Sequence, residues 1–248
     1  MAKAFSKTQI DKLGERLKQD QIEEADLRML AEYRNSFTQA FETVVSLIRE
    51  RLALEPTGRP VKSTASITDK LRRESIRLSQ IQDIAGCRII VPDVVTQNEI
   101  VERITGLFEK VSVVDRRVQP SHGYRAVHVI VGVENKLVEV QVRTRLQHLW
   151  AELSERFSDF DSTIKYGGGS PSDQKILLTL SGTIRDFDYV EEQMPMLIQK
   201  VSSSSEQLHE QLQDDVEKLQ ERHITSTKKL FTDLLLELIE SVKTREEK

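Results

Sequence analysis

The run Tyr124-Arg125-Ala126-Val127-His128-Val129-Ile130-Val131-Gly132-Val133, the connector Glu134-Asn135-Lys136 and the run Leu137-Val138-Glu139-Val140-Gln141-Val142-Arg143-Thr144 decide the fold. Both runs are rich in β-branched residues and alternate with a period of two, and the connector has a length suited to a hairpin. In the second run, alternation turns Val138, Val140 and Val142 to one face and Glu139, Gln141 and Arg143 to the other. In the first, Tyr124 and His128 share a face with Ala126 and Ile130, while Arg125 lies opposite with Val127, Val129 and Val131. Pairing the runs gathers Tyr124, His128, Glu139, Gln141 and Arg143 on one surface. A solvated sheet face is the commoner meaning of such a pattern. These residue types, however, offer together a stacking plane, a metal ligand and anion contacts.

Working outward, Ala85 to Val91 reads as an apolar strand stopped by Pro92, with Asp83 just before it. An Asp in that position is more often a turn former. It is also placed to project into a site, and Mg²⁺ needs only one or two protein carboxylates beside phosphate oxygens and water, so Asp83 with Glu139 would suffice. Before this strand lies a basic cluster, Arg59, Lys62, Lys70, Arg72, Arg73 and Arg77, opposed only by Asp69 and Glu74. Ser66 is expected to cap a short helix, with Asp69 three residues on and Ile67, Leu71 and Leu78 on its apolar side. Basic helices are usually solvated faces. Yet Ser66, Lys70 and Arg73 align at helical spacing, with Lys62 arriving from the preceding loop, an arrangement that suits a triphosphate.

The remaining chain reads mostly as helix: about 7 to 54, ended by Pro56-Thr57-Gly58; about Thr96 to Lys110; Arg145 through Phe157; and Ser172 to the end, with a break at Ser202 to Ser205. Gly167-Gly168-Gly169 lacks the Gly-Lys-Ser/Thr ending of a P-loop and reads as a connector or lid. Three segments follow: a helical 1–55, a core at 56–170 and a helical extension at 171–248. The class is α+β, with long N- and C-terminal helices. Of the 248 residues 38% are hydrophobic and 31% charged, which suits a folded globular chain. The net charge of −4 exerts no general pull on nucleic acid or membrane, so a polyanion would need the local basic cluster. No apolar run approaches the roughly 20 residues of a membrane span. The N-terminus lacks the apolar stretch of a signal peptide, so the expected location is the cytoplasm. Cys87, the one cysteine, sits in IAGCRIIV and reads as a buried structural thiol.

Four ordered blocks carry a family resemblance: GRPVKSTASITDKLRR (58–73), DIAGCRIIVPD (83–93), HGYRAVHVIV (122–131) and VEVQVRTRLQHLWAELSERF (138–157). With them the chain resembles the synthetase domain of the RelA/SpoT alarmone enzymes, especially the small single-domain members and their toxin relatives. The resemblance implies a mixed, largely antiparallel sheet flanked by helices and related to nucleotidyltransferases. It implies transfer of the β,γ-pyrophosphate of ATP to a 3′-hydroxyl. Lys62, Ser66, Lys70 and Arg73 would hold the ATP, with Arg88 nearby and Arg59 a further candidate. Asp83 and Glu139 would serve Mg²⁺, Glu139 alternatively activating the acceptor hydroxyl. Tyr124 would stack on the acceptor base, while His128, Gln141 and Arg143 would organise ribose and phosphate groups.

One departure from the family lies at the start of the ATP motif, and the others concern the acceptor. Arg59-Pro60-Val61-Lys62 stands where the family has Arg-x-Lys, and His122 stands where Asn is usual before Gly123-Tyr124. The shortened loop with Arg116 and Arg117 resembles toxin-like members that modify the 3′ end of tRNA, which leaves a guanine nucleotide and tRNA both open as acceptors. Arg116 and Arg117 are then candidate RNA contacts. An antitoxin partner and self-association through the terminal helices are further expectations of the resemblance. A nucleotide-sensing or partner-binding module without turnover is the non-enzymatic alternative.

Overall fold

Three helices, rather than one, occupy the N-terminal stretch of the computed structural model: α1 (Lys7–Lys18), α2 (Glu24–Asn35) and α3 (Thr38–Leu52). The structure describes the backbone of residues 5–202 and 210–246, and the side chains of 5–58, 60–194, 218, 221–222 and 224–242. Local chemistry makes the breaks. Asp20 adopts a left-handed backbone, φ 56°. The Asp26 carboxylate accepts from the backbone N–H of Glu23, the N-cap of α2, and from Arg16 Nε at 2.9 Å and Nη2 at 2.6 Å, tying α2 to α1. Ser36 Oγ donates to the Tyr33 carbonyl at 2.6 Å where α2 ends. The apolar period continues through both breaks because Leu13, Leu17, Leu30, Phe37, Val44 and Ile48 all remain buried. Periodicity reports which face is buried, and two short breaks leave it intact.

A short strand, β1 (Thr57–Arg59), follows; then α4 (Thr64–Arg73), β2 (Ala85–Val91), α5 (Val94–Thr105) and β3 (Val111–Asp115). Ser63, not Ser66, is the N-cap of α4: its Oγ accepts from the Ser66 N–H at 3.2 Å. Helix α5 begins two residues earlier than expected because Asp93 Oδ1 accepts from the Thr96 N–H at 2.7 Å, and it stops before Gly106. The hairpin is β4 (Val127–Val133) with β5 (Lys136–Thr144). Its turn is two residues, Glu134 (φ 51°) and Asn135 (φ 60°), with the double positive φ of a type I′ connection. Helix α6 (Arg145–Phe160) is capped by Thr144, whose Oγ1 accepts from the Gln147 N–H at 3.3 Å. Helices α7 (Pro171–Ser202) and α8 (Glu210–Glu246) complete the described chain. The expected break at Ser202 to Ser205 falls largely outside the described residues.

The five strands form one mixed sheet in the order β1-β2-β5-β4-β3, with β1/β2 and β4/β5 antiparallel. The chain divides into two units. The first comprises Met1–Ile89, Ile100–Val114 and Val127–Val142. Its core takes one face of the hairpin, where Val129, Val131, Val138, Val140 and Val142 are fully buried. Beside it, α1 packs on α4 and on the 3₁₀ turn at Leu78–Gln80. The second unit comprises Ile90–Glu99, Asp115–Ala126 and Arg143–Lys248. Its core joins Leu146, Leu149, Trp150 and Leu153 of α6 to Leu177 and Ile184 of α7 and to Leu235 and Ile239 of α8. No helix among the described residues is long and apolar enough to cross a membrane.

Candidate active site

Two charged clusters occupy the first unit. The α4 backbone projects Lys70 from its last turn, and a backbone bond from Lys62 N–H to the Ile84 carbonyl, 2.7 Å, brings the preceding loop alongside β2. Both lysines then close on Asp83: Lys62 Nζ donates to Oδ2 at 2.6 Å and Lys70 Nζ to Oδ1 at 2.9 Å. The three side chains are 19–21% exposed, so this trio is largely but not wholly shielded from water. Burial alone would raise the Asp83 pKa; the two ammonium charges and their hydrogen bonds outweigh it and hold the carboxyl below its ordinary value.

The second cluster lies on the polar face of the hairpin. His128 pairs across the ladder with Gln141, which makes Glu139 its diagonal neighbour. His128 Nδ1 lies 2.7 Å from Glu139 Oε1, and Gln141 Nε2 donates to Oε2 at 2.6 Å. Glu139 is buried, which raises its pKa, and the nearby Asp83 raises it further. The His128 bond and charge and the Gln141 bond prevail, so Glu139 too is held below the usual carboxylate range. Gly86 on β2 explains how the strands fit: a Cβ there would come 3.0 Å from the Glu139 carbonyl oxygen and 3.5 Å from its Cβ. Asp83, three residues before Gly86, is thereby delivered to the electrostatic neighbourhood of Glu139. Two ionised oxygen donors near each other, beside cations able to turn to a phosphate chain, fit a hard divalent ion.

Ser66 sits in the first turn of α4, with its Oγ 2.8 Å from Ser63 Oγ. Arg73 is exposed and donates to Glu74 at 3.1 Å. Arg88 lies on β2 opposite Thr57 of β1. Arg59 is in β1, and its side chain lies outside the described residues. Cys87 is buried, with its thiol pushed up to about 12 by burial and then by Glu139, in keeping with a structural thiol.

In the second unit, Arg143 Nη2 donates to the Tyr124 hydroxyl at 2.9 Å, and the guanidinium carbon lies 5.0 Å from the centre of the Tyr124 ring. Tyr124 precedes β4 instead of lying in it, because the backbone turns at Gly123 (φ 89°) and the Tyr124 N–H bonds the Ser121 carbonyl. Arg117 is engaged within its own unit: its guanidinium grips Asp115 at 2.7–3.1 Å and donates to Gln97 at 3.1 Å and Asn98 at 2.7 Å. Those bonds give it a structural task that its basic neighbour Arg116 had concealed in the sequence. Sequence reasoning also missed Arg125 and Ser181, which hold the turn before Tyr124; only the alternation that separates Arg125 from Tyr124 hinted at it.

Residues 58–159 match the family described as the region found in RelA / SpoT proteins. The candidates from Arg59 to Arg143 all fall inside that matched stretch. Over 137 residues the chain is 36% identical to the GTP pyrophosphokinase YjbM of Bacillus subtilis, covering 49% of this chain and 62% of that protein. The uncharacterised protein Rv1366 of Mycobacterium tuberculosis is 37% identical over 118 residues, 46% of this chain and 41% of the relative. The chain therefore spans less than two thirds of the length of these curated relatives. Small alarmone synthetase 1 of Bacillus subtilis, solved bound to its product pppGpp, superposes with a TM-score of 0.51 at 25% identity, over 71% of this chain and all of that one. A GTP pyrophosphokinase family protein from Streptococcus pneumoniae shares the fold, with a TM-score of 0.54 at 22% identity over 72% and 98% of the two chains.

Proposed function

We propose that the protein is a pyrophosphokinase that moves the β,γ-pyrophosphate of ATP onto the 3′-hydroxyl of a guanine nucleotide. The observation that carries this reading is the convergence of Lys62 and Lys70 on Asp83, in the same unit as the Glu139 cluster and inside the RelA/SpoT region. A carboxylate that neutralises two lysines keeps them extended and close together until a stronger polyanion arrives. The triphosphate of ATP is such a polyanion, and Lys62 and Lys70 would turn to it, with Ser66, Arg73, Arg88 and Arg59 around the same nucleotide. Tyr124 and Arg143 take the acceptor, the ring stacking on the base and the guanidinium meeting its phosphates. His128 and Gln141 fix the orientation of Glu139.

The acceptor 3′-oxygen attacks the β-phosphorus in line, the bond to the α-phosphate bridging oxygen breaks, AMP leaves, and the hydroxyl proton passes to water. Such a transfer depends on positioning and charge neutralisation more than on covalent help. Asp83 and Glu139 would hold Mg²⁺, which supplies neutralisation and alignment of the phosphate oxygens when bound. The lowered pKa of Glu139 suits it to holding a cation better than to taking a proton.

The test is incubation with γ-labelled ATP and Mg²⁺ in separate reactions holding GDP, GTP, ATP or tRNA, followed by chromatography. Label in GDP and GTP is expected. Label in tRNA alone would transfer the acceptor assignment to RNA, and label in none would overturn the activity.

A further inference from the structure

We propose that Ser181 of α7 is a positioning residue for the acceptor, acting through the backbone of Gly123 on the ring of Tyr124. This rests on the reading of Tyr124 as the residue that stacks on the acceptor base. The Ser181 hydroxyl donates to the Gly123 carbonyl at 2.6 Å. Arg125, on the other side of Tyr124, donates through Nε to the Ser181 carbonyl at 3.1 Å and to its hydroxyl at 3.0 Å, and through Nη1 to the Arg117 carbonyl at 2.7 Å. One serine therefore bonds both residues that flank Tyr124 in sequence.

The clamp is dry and leaves little play. Ser181 is 3% exposed and Arg125 8%, and the indole of Trp150 closes the back of the turn so tightly that a Cβ on Gly123 would lie 2.8 Å from its ring. Trp150 is itself fixed by donating to the Leu177 carbonyl of α7 at 2.7 Å. The chain leading into Arg125 is anchored too, since Arg117 is pinned by Asp115, Gln97 and Asn98. Tyr124 itself remains only half-buried, with its hydroxyl accepting from Arg143. A fixed backbone under a half-exposed ring is what a stacking platform needs: the ring plane is set before the ligand arrives, which lowers the ordering cost of binding. Ser181 lies outside the RelA/SpoT region at 58–159, so the extension helix α7 contributes to acceptor binding without touching the acceptor.

Initial rates of wild type and of Ser181→Ala and Arg125→Lys variants, measured against GDP at saturating ATP and against ATP at saturating GDP, separate positioning from general damage. Loss of one positioning hydrogen bond predicts a KM for GDP raised about fivefold, with KM for ATP and kcat within about twofold of wild type. Thr183→Ala on the same helix should change neither KM. Calorimetric titration of GDP provides a second readout that needs no turnover, and the Kd should rise by the same factor. Unchanged GDP binding in both variants, or parallel changes in both KM values and kcat, would overturn the inference. A wild-type protein that neither binds nor uses GDP would instead overturn the reading of the site on which it rests.

Discussion

Glu139 stands on the hairpin with both carboxylate oxygens hydrogen-bonded, one toward His128 and one to Gln141. Glu139→Gln keeps the shape and removes the charge, so the variant should fold while turnover falls about a thousandfold or more, as expected when the protein's hold on a catalytic cation is lost. Turnover within tenfold of wild type, measured at saturating ATP and Mg²⁺, would remove Glu139 from the mechanism. The buried carboxyls also set a pH profile, with opposite signs. Asp83 and Glu139 have folded pKa values below their unfolded ones, so their stabilising contribution is present above the unfolded values and is lost as pH falls through the folded ones. Asp188 behaves in reverse: burial, with Glu191 adding, pushes it up to about 6 against the Gln147 hydrogen bond and the charges of Arg117 and Arg125. Its folded state holds the proton more tightly, so a penalty grows as pH rises from the ordinary carboxyl value to about 6 and persists above it. Asp188→Asn, which still accepts from Gln147, should therefore gain on the order of 3 kcal/mol relative to wild type at pH 8, a gain that falls below about 1 kcal/mol near pH 4. Thermal melts at both pH values check this, and an equal gain at both would refute it.

At the scale of elements, the type I′ turn is where the hairpin departs from what its residues prefer. Glu134 and Asn135 both take positive φ, and only the second is a residue that does so readily. Replacing the pair with Asn-Gly should raise stability by about 1 kcal/mol, read as a higher denaturant midpoint at unchanged slope, and a lower midpoint would refute the turn assignment. The hairpin itself was legible because alternation over two long runs fixes both pairing and facing, and so Glu139, Gln141 and His128 were found together. Strand β2 was legible from its apolar run and the proline after it. The three-residue β1 and the exposed edge strand β3 carry too little pattern to be read. The separation of α1, α2 and α3 rests on Asp20, on Asp26 with Arg16 and on Ser36, contacts that burial periodicity does not encode. Ser63 and Ser66 are equally good caps in sequence, and only the hydrogen bond between them decides. The grip of Ser181 on Gly123 spans 58 residues, beyond the reach of any local pattern.

Across the whole molecule the net charge is −4, yet the candidate site concentrates cations by spending one carboxylate, Asp83, on two lysines. That local design, rather than a basic surface, is what marks a binder of one compact polyanion. The helical extension is more than a cover: α8 packs on α6 and α7 in the second unit, and α7 reaches the turn before Tyr124. The central claim is that pyrophosphate moves as one group to a 3′-oxygen. Phosphorus-31 NMR of ATP and GDP with the protein tests it most directly. AMP and a 3′-pyrophosphorylated guanosine nucleotide should appear in equal amounts, only when Mg²⁺ is present and not with Glu139→Gln. ADP formed from ATP in place of AMP would contradict it.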